Sequence, residues 1–334
     1  MKTFVSVPER HCGLLWTKPL QEAEMTKKRS AEKISRAWIA AACAGIGATI
    51  GAQVAHAQAP QPVTIRFAAQ IGDQAFTCGR SYEGIGSPAS RIMPSDFRFY
   101  VSEVHLVDES GKAVPVRLEQ DGRWQYRDVA LLDFEDRSGP CLTGTAETRD
   151  VVTGTIPPGR YRGLRFTLGV PFALNHEDST IAPSPLNLTS LFWSWQAGYK
   201  FVRIDLGSAG RPQTIKPGEP MPTFGDAEGS LKFGFAIHLG STMCSSGGRI
   251  ERPTECRNPN RATIDFPEFD TSKQVVVADL KALLEGVNVD VNQPKTPAGC
   301  MSSPNDGDCD PLMRNFGVSF GGKASEGQRF FRIR

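Results

Sequence analysis

The chain has little histidine, little tryptophan and little net charge. Its 334 residues include 5 His, 5 Trp and 5 Tyr, and 38 basic side chains nearly balance 36 acidic ones. Near-neutrality argues against a nucleic-acid partner, which would want a concentrated basic surface. There is no C-x-x-C pair, so a zinc ribbon is excluded. There is also no C-x-x-C-H haem site, no P-loop and no H-E-x-x-H. Gly317-Val-Ser-Phe-Gly321 matches the G-x-S-x-G nucleophile elbow letter for letter. No His follows Ser319 to complete a triad in that order, so a secreted hydrolase is rejected. Asn305-Asp-Gly-Asp308 lacks the spacing and closing Glu of an EF-hand loop and reads as a solvated turn.

Long apolar runs are also missing. The longest, Ala37–Ile50, falls short of the ~20 residues a membrane span needs. It follows a basic stretch, Lys27, Lys28, Arg29, Lys33 and Arg36, and precedes the small-x-small site Ala55-His56-Ala57. That pattern predicts a signal segment over residues 1–57, with Met25 as an alternative start and a mature domain over 58–334. The protein is therefore expected to be periplasmic or secreted, with no membrane span after signal removal. Residues 58–334 carry 30 basic and 32 acidic side chains, so the slight positive balance belongs to the leader.

What is present is period-2 alternation. Val63, Ile65 and Phe67 alternate with Thr64 and Arg66, and Leu164, Phe166 and Leu168 alternate with Arg165 and Thr167. FRFYVSEVHLV (97–107), VALLDFE (129–135), YKFVRIDL (199–206), LKFGFAIHL (231–239), ATIDF (262–266) and KQVVVADL (273–280) read as further strands, with Pro and Gly between them. Helix signals are few. Asp279 to Gly286 has an N-cap and a glycine stop, and Pro185–Trp193 is a second candidate. The expected fold is all-β: a single sandwich-like domain with long disulfide-stapled loops and one or two short helices.

Six cysteines remain after the leader: Cys78, Cys141, Cys244, Cys256, Cys300 and Cys309. An even count in an exported chain predicts disulfides, although sequence alone leaves their connectivity open. Cys244–Cys256 and Cys300–Cys309 each bracket a polar, turn-rich loop and suggest local pairs, which leaves Cys78–Cys141.

Three histidines remain: His105, His176 and His238. A single histidine is more often a hydrogen-bonded structural residue than a ligand, and His105 is read that way. His176 follows the end of a strong strand. His238 lies near the end of another, where its same-face neighbours Gly234 and Ala236 are small. Small neighbours leave room beside an imidazole, the commonest side-chain ligand for copper and zinc. The other concentration is aromatic. If LFWSWQAGYKFVRIDL (191–206) is extended, Trp193, Trp195, Ala197, Tyr199 and Phe201 share one face. Such a stripe is either core or a ring wall beside a metal.

Taken in order, DFRFYVSEVHLV, VALLDFE followed by Cys141, GVPFALNHED, PLNL, FWSWQAGYKF, HLGST followed by Cys244, Cys256 and GCMSSPNDGDC resemble the MbnP-like family, also called metallo-mystery-pair four-Cys-motif proteins. The resemblance spans nearly all of residues 62–320. It implies an exported copper-binding protein that is not itself an enzyme, matured by a dihaem partner resembling MauG and cytochrome c peroxidases. That partner would oxidise a tryptophan to kynurenine, whose amine and two histidines hold Cu(I). Carried over, the ligands are His176 and His238 and the modified residue is Trp193 or Trp195, with Trp193 preferred. The four-Cys motif falls on Cys244, Cys256, Cys300 and Cys309, and Met243 occupies a position expected to be small. The alternative is a disulfide-stapled β-sandwich with a binding or structural role and no metal.

Overall fold

The structure is a computed structural model that describes residues 58–194, 196–208, 223–224, 231–248 and 251–334. The expected signal segment and Trp195 lie outside the described residues. In chain order the main strands are β1 (Gln61–Ile71), β2 (Ser90–Asp108), β3 (Val129–Asp133), β4 (Val151–Ile156), β5 (Tyr161–Leu168), β6 (Phe192–Ser194), β7 (Gly198–Tyr199), β8 (Val202–Ser208), β9 (Leu231–Leu239), β10 (Thr242–Ser245), β11 (Glu255–Asn258), β12 (Ala262–Phe266), β13 (Val276–Asp279) and β14 (Phe331–Ile333). The short helices are α1 (Phe172–Asn175), α2 (Leu280–Leu283) and α3 (Cys309–Asn315).

Two sheets face each other, and the architecture is the expected all-β sandwich type with a few short helices. The smaller sheet runs β14-β13-β1-β4, with β1 and β13 parallel. The larger runs β9-β8-β2-β5-β12, with antiparallel neighbours. Strand β2 is its spine: it pairs with β8 over Ile92–Phe99 and with β5 over Val101–Asp108. Phe67 of the smaller sheet meets Phe99 and Phe166 of the larger at centroid distances of 6.2 and 5.7 Å. Phe97, Phe316, Phe330 and Phe331 complete this aromatic core.

Local chemistry explains the elements. In β1 the alternating residues Val63, Ile65 and Phe67 are buried while Thr64 and Arg66 are exposed. Asp279 caps α2 as its sequence suggests, accepting from Lys281 N at 3.0 Å, and Gly286 ends the segment at φ +78°. Helix α3 was not legible in the sequence. It is short and starts at the cysteine that closes a disulfide loop, although Pro311 in its first turn is compatible with a helix start.

The aromatic segment departs from its expected extended form. After a 3-10 turn at Thr189–Leu191 the chain enters β6, turns at Gln196–Ala197 and returns as β7, pairing Phe192 with Tyr199. Gly198 at φ +83° makes this reversal possible. The single aromatic face is thereby broken. Tyr199 and Phe201 are fully buried, whereas Trp193 stays half-buried on the outgoing strand.

Three disulfides close the loops: Cys78–Cys141, Cys244–Cys256 and Cys300–Cys309. No described helix is long and apolar enough to cross a membrane.

Candidate metal centre

Over Asp96–Phe99, Val202–Asp205 and Ala236–Leu239 the strands β2, β8 and β9 pair in unbroken register, so successive side chains fall on opposite faces. One face carries Phe97, Phe99, Val202, Ile204, Phe235, Ile237 and Leu239 into the core. The other carries His238, Arg203, Asp205, Asp96 and Arg98, because Arg203 lies opposite both His238 and Arg98, and Asp205 lies opposite Asp96. This polar row is nearly as buried as the core, with Arg98 and Asp96 at 0 % exposure. Buried charge persists only when paired, and the row is a continuous chain of pairs.

His238 Nε2–H donates to Asp205 Oδ1 at 2.7 Å. Asp205 Oδ2 accepts from Arg203 Nε at 2.8 Å, and Arg203 also lies 3.2 Å from Asp96 Oδ2. Asp96 holds Arg98 with two parallel hydrogen bonds, and Thr143 Oγ1 donates to Asp96 at 2.7 Å. Burial opposes ionisation of Asp205. The hydrogen bond and charge of His238, followed by those of Arg203, overcome it and hold the carboxyl well below the usual range. Burial, with Arg203 close by, brings the Lys200 ammonium down to about 8.

The bond to Asp205 fixes the His238 tautomer. In the neutral ring the proton sits on Nε2 and Nδ1 keeps its lone pair, and this buried atom has no hydrogen-bond partner among the described residues. The Cys300–Cys309 loop holds the backbone here. Ser302 Oγ donates to His238 O at 2.9 Å and accepts from Gly240 N at 3.1 Å. Gly240 lets the Trp193 ring close in, since a Cβ there would stand 2.5 Å from Cζ3 of the indole. The Trp193 and His238 rings are 6.4 Å apart.

His176 follows α1 and is buried. Its ring packs on Phe172 at 5.0 Å, and Asn175 Nδ2 lies 3.2 Å from its Nε2. Asn175 is the latch of the neighbourhood. Its Oδ1 accepts from Tyr199 N at 2.8 Å and its Nδ2 reaches Ser241 Oγ at 3.4 Å, linking α1 to the aromatic hairpin and to the chain just past His238. A cleft of about 640 Å³ opens beside His176, lined also by Glu177, Asp178, Ile181, Phe192 and Arg252.

His176 Nε2 also lies 3.3 Å from Cys256 Sγ and 4.0 Å from Cys244 Sγ, and these three donor atoms all fall within 4.8 Å of one another. The sulfurs are joined as a disulfide, so neither is a thiolate and the trio is not a ligand set in this oxidation state.

The structure thus brings Trp193 beside His238 and ties His176 to the same region through Asn175, while Trp195 lies outside the described residues. His105 sits in β2 with Nδ1 2.6 Å from Glu103 O, a backbone-satisfied role. Met243 is exposed at φ +54°. Sequence reading missed Asp205, Arg203 and Asp96. Their signal was charge at alternate positions of strands otherwise too apolar to face solvent.

A disulfide-stapled β-sandwich with a buried, carboxylate-anchored histidine is the class these features define. A family model described as MbnP matches residues 60–302. The solved structure of MbnP from Methylosinus trichosporium aligns at TM-score 0.69 and 31% identity, covering 83% of this chain and 99% of that chain. No curated protein matches it. The chain belongs to the MbnP family.

Proposed function

We propose that this chain is an exported copper-binding protein that holds Cu(I) through His176, His238 and an oxidised Trp193. The observation that carries the reading is the buried, unpartnered Nδ1 of His238, opposite an Nε2–H fixed by Asp205. Ligating histidines are typically set this way, with the second ring nitrogen held by a carboxylate. The donor set suits the ion, because Cu(I) takes imidazole and other soft or borderline donors. The neighbouring cysteines are all paired and do not compete.

An intact indole is a poor ligand, since its nitrogen lone pair belongs to the ring. Insertion of two oxygen atoms across the indole C2–C3 bond, followed by hydrolysis that releases one carbon as formate, leaves kynurenine and frees an aniline-type amine. The oxidising equivalents come from a dihaem partner of the MauG or cytochrome c peroxidase kind. This chain is the partner's substrate rather than an enzyme. Half-burial of Trp193 suits the role: its ring is supported by Gly240 and still reachable from outside.

The competing reading is a metal-free structural or binding sandwich, supported by the packing of His176 against a disulfide. Cu(I) competition titration separates the two. The reading expects binding by protein produced with its partner and loss of binding in His176→Ala and in His238→Ala. Undiminished binding in both variants would overturn the assignment. On the Trp193 peptide, mass mapping should show a net gain of one oxygen and loss of one carbon.

A further inference from the structure

We propose that Cys244, Cys256 and His176 form a second, redox-gated site for a thiophilic d10 cation, closed while the disulfide is intact and opened by a dithiol reductant. The site shares His176 with the copper reading but does not depend on that reading being right.

In a tetrahedral zinc site, Zn–S and Zn–N bond lengths put a sulfur and a nitrogen ligand about 3.6 Å apart. His176 Nε2 stands 3.3 and 4.0 Å from the two sulfurs, bracketing that spacing. Only the sulfur–sulfur separation has to grow, to about 3.8 Å on the same bond lengths. With its proton on Nδ1 the imidazole can offer Nε2 to the cation, which takes the place of the Asn175 Nδ2 contact at 3.2 Å.

The frame around the sulfurs does not depend on the S–S bond. Cys244 and Cys256 face each other across the β10–β11 hairpin. The hairpin is also closed by Thr254 N donating to Ser245 O at 2.9 Å and by Asn258 Nδ2 donating to Thr242 Oγ1 at 3.2 Å. Arg252 in its loop donates to Ala173 O in α1, which ties the hairpin to the element that carries His176.

Selectivity follows from exposure. Cys300 and Cys309 are both buried, and Cys78–Cys141 pairs a half-buried with a fully buried sulfur, whereas Cys244 and Cys256 are both half-buried. A thiolate from outside can therefore reach this disulfide more readily than the other two. The chemistry balances. A dithiol supplies two electrons and two protons, becomes a disulfide and leaves two cysteine thiols. The cation then displaces those two protons and is held by two thiolates and the imidazole.

The test uses the mature chain carrying His238→Ala and Trp193→Phe, so that copper binding at the other proposed site cannot contribute. A phosphine reductant replaces the dithiol because it does not itself chelate. After mild reduction two thiols should be alkylatable, the chain should bind one equivalent of Zn2+, and Co2+ should give a thiolate-to-metal charge-transfer band. The oxidised chain should do neither. Cys256→Ser should abolish the band, and adding His176→Ala should weaken Zn2+ by about tenfold or more. Two free thiols with no Zn2+ bound, or loss of the β-sheet circular dichroism on that mild reduction, would overturn the proposal. Failure of the copper reading would appear separately, in Cu(I) titration of the oxidised, partner-matured wild type.

Discussion

Asp205 and His238 sit diagonally across the β8–β9 ladder, and the carboxylate takes the imidazole Nε2–H at 2.7 Å. Arg203 holds the other carboxylate oxygen, so Asp205 cannot swing away without breaking an ion pair. The histidine is thereby fixed in ring orientation and in tautomer. Asp205→Asn keeps the shape but removes the charge and the strong acceptor. Cu(I) affinity is expected to fall about 10- to 100-fold, the usual effect of losing the carboxylate behind a ligating histidine. Competition against a Cu(I) chelator measures it, and an unchanged affinity would remove Asp205 from the site.

Gly240 is the seat of Trp193. A methyl group there would stand 2.5 Å from Cζ3 and 2.9 Å from Cη2 of the indole. The same methyl would stand 2.8 Å from the Tyr199 backbone oxygen, so Gly240→Ala is expected to push both the ring and the returning strand away from His238. When the variant is co-produced with a dihaem partner, peptide mapping should show a smaller converted fraction at Trp193 than in wild type. Equal conversion would mean that the ring position does not matter to the oxidation.

Much of the sandwich could be read in advance because the period-2 signal is a local property of each strand. Ala262–Phe266 was legible to the residue, and the bounds of Leu231–Leu239 likewise. The polar face of β8 and β9 was legible only in part. Gly234 and Ala236 beside His238 signalled free space, but the pairing of Asp205 with His238 depends on a cross-strand register that no single segment encodes. The extended reading of residues 191–206 failed for a different reason. Gly198 breaks the run, and its left-handed conformation is fixed by Asn175, which lies 23 residues earlier and fills the space a side chain would need. Short strands such as β10 and β11 escaped notice because their residues alternate between half-buried and exposed and bring no apolar face.

Cys78 and Cys141 close the longest of the three disulfide loops, 63 residues apart in sequence. In the chain-entropy account such a crosslink is worth about 4 kcal/mol. Two residues on, Thr143 covers Arg98 and donates to Asp96. The double variant Cys78→Ala/Cys141→Ala should lower the Tm by on the order of 10 °C. It should also leave the other disulfides formed, which alkylation under non-reducing conditions can confirm. A Tm within a degree or two of wild type would show that the loop is held by Thr143 and its neighbours alone.

At the far end of the polar row Asp133 is buried and its Oδ2 has no hydrogen-bond partner among the described residues. Burial pushes this carboxyl up to about 7; Arg98 pulls it down, while Asp96 and Glu135 add to the rise. The folded chain therefore binds a proton that the unfolded chain, titrating near 3.8, has already lost. Stability from this group is present below the unfolded value and is lost as pH climbs through about 7. Glu135 is shifted in the same direction, so the test is a difference. Asp133→Asn cannot ionise, and its Tm minus that of wild type should rise between about pH 4 and pH 7 and level off above that. The absolute offset also reflects how the buried amide is accommodated, so the slope is the readout. A difference that stays flat with pH would mean that Asp133 is ionised throughout, held by Arg98 against the burial that surrounds it.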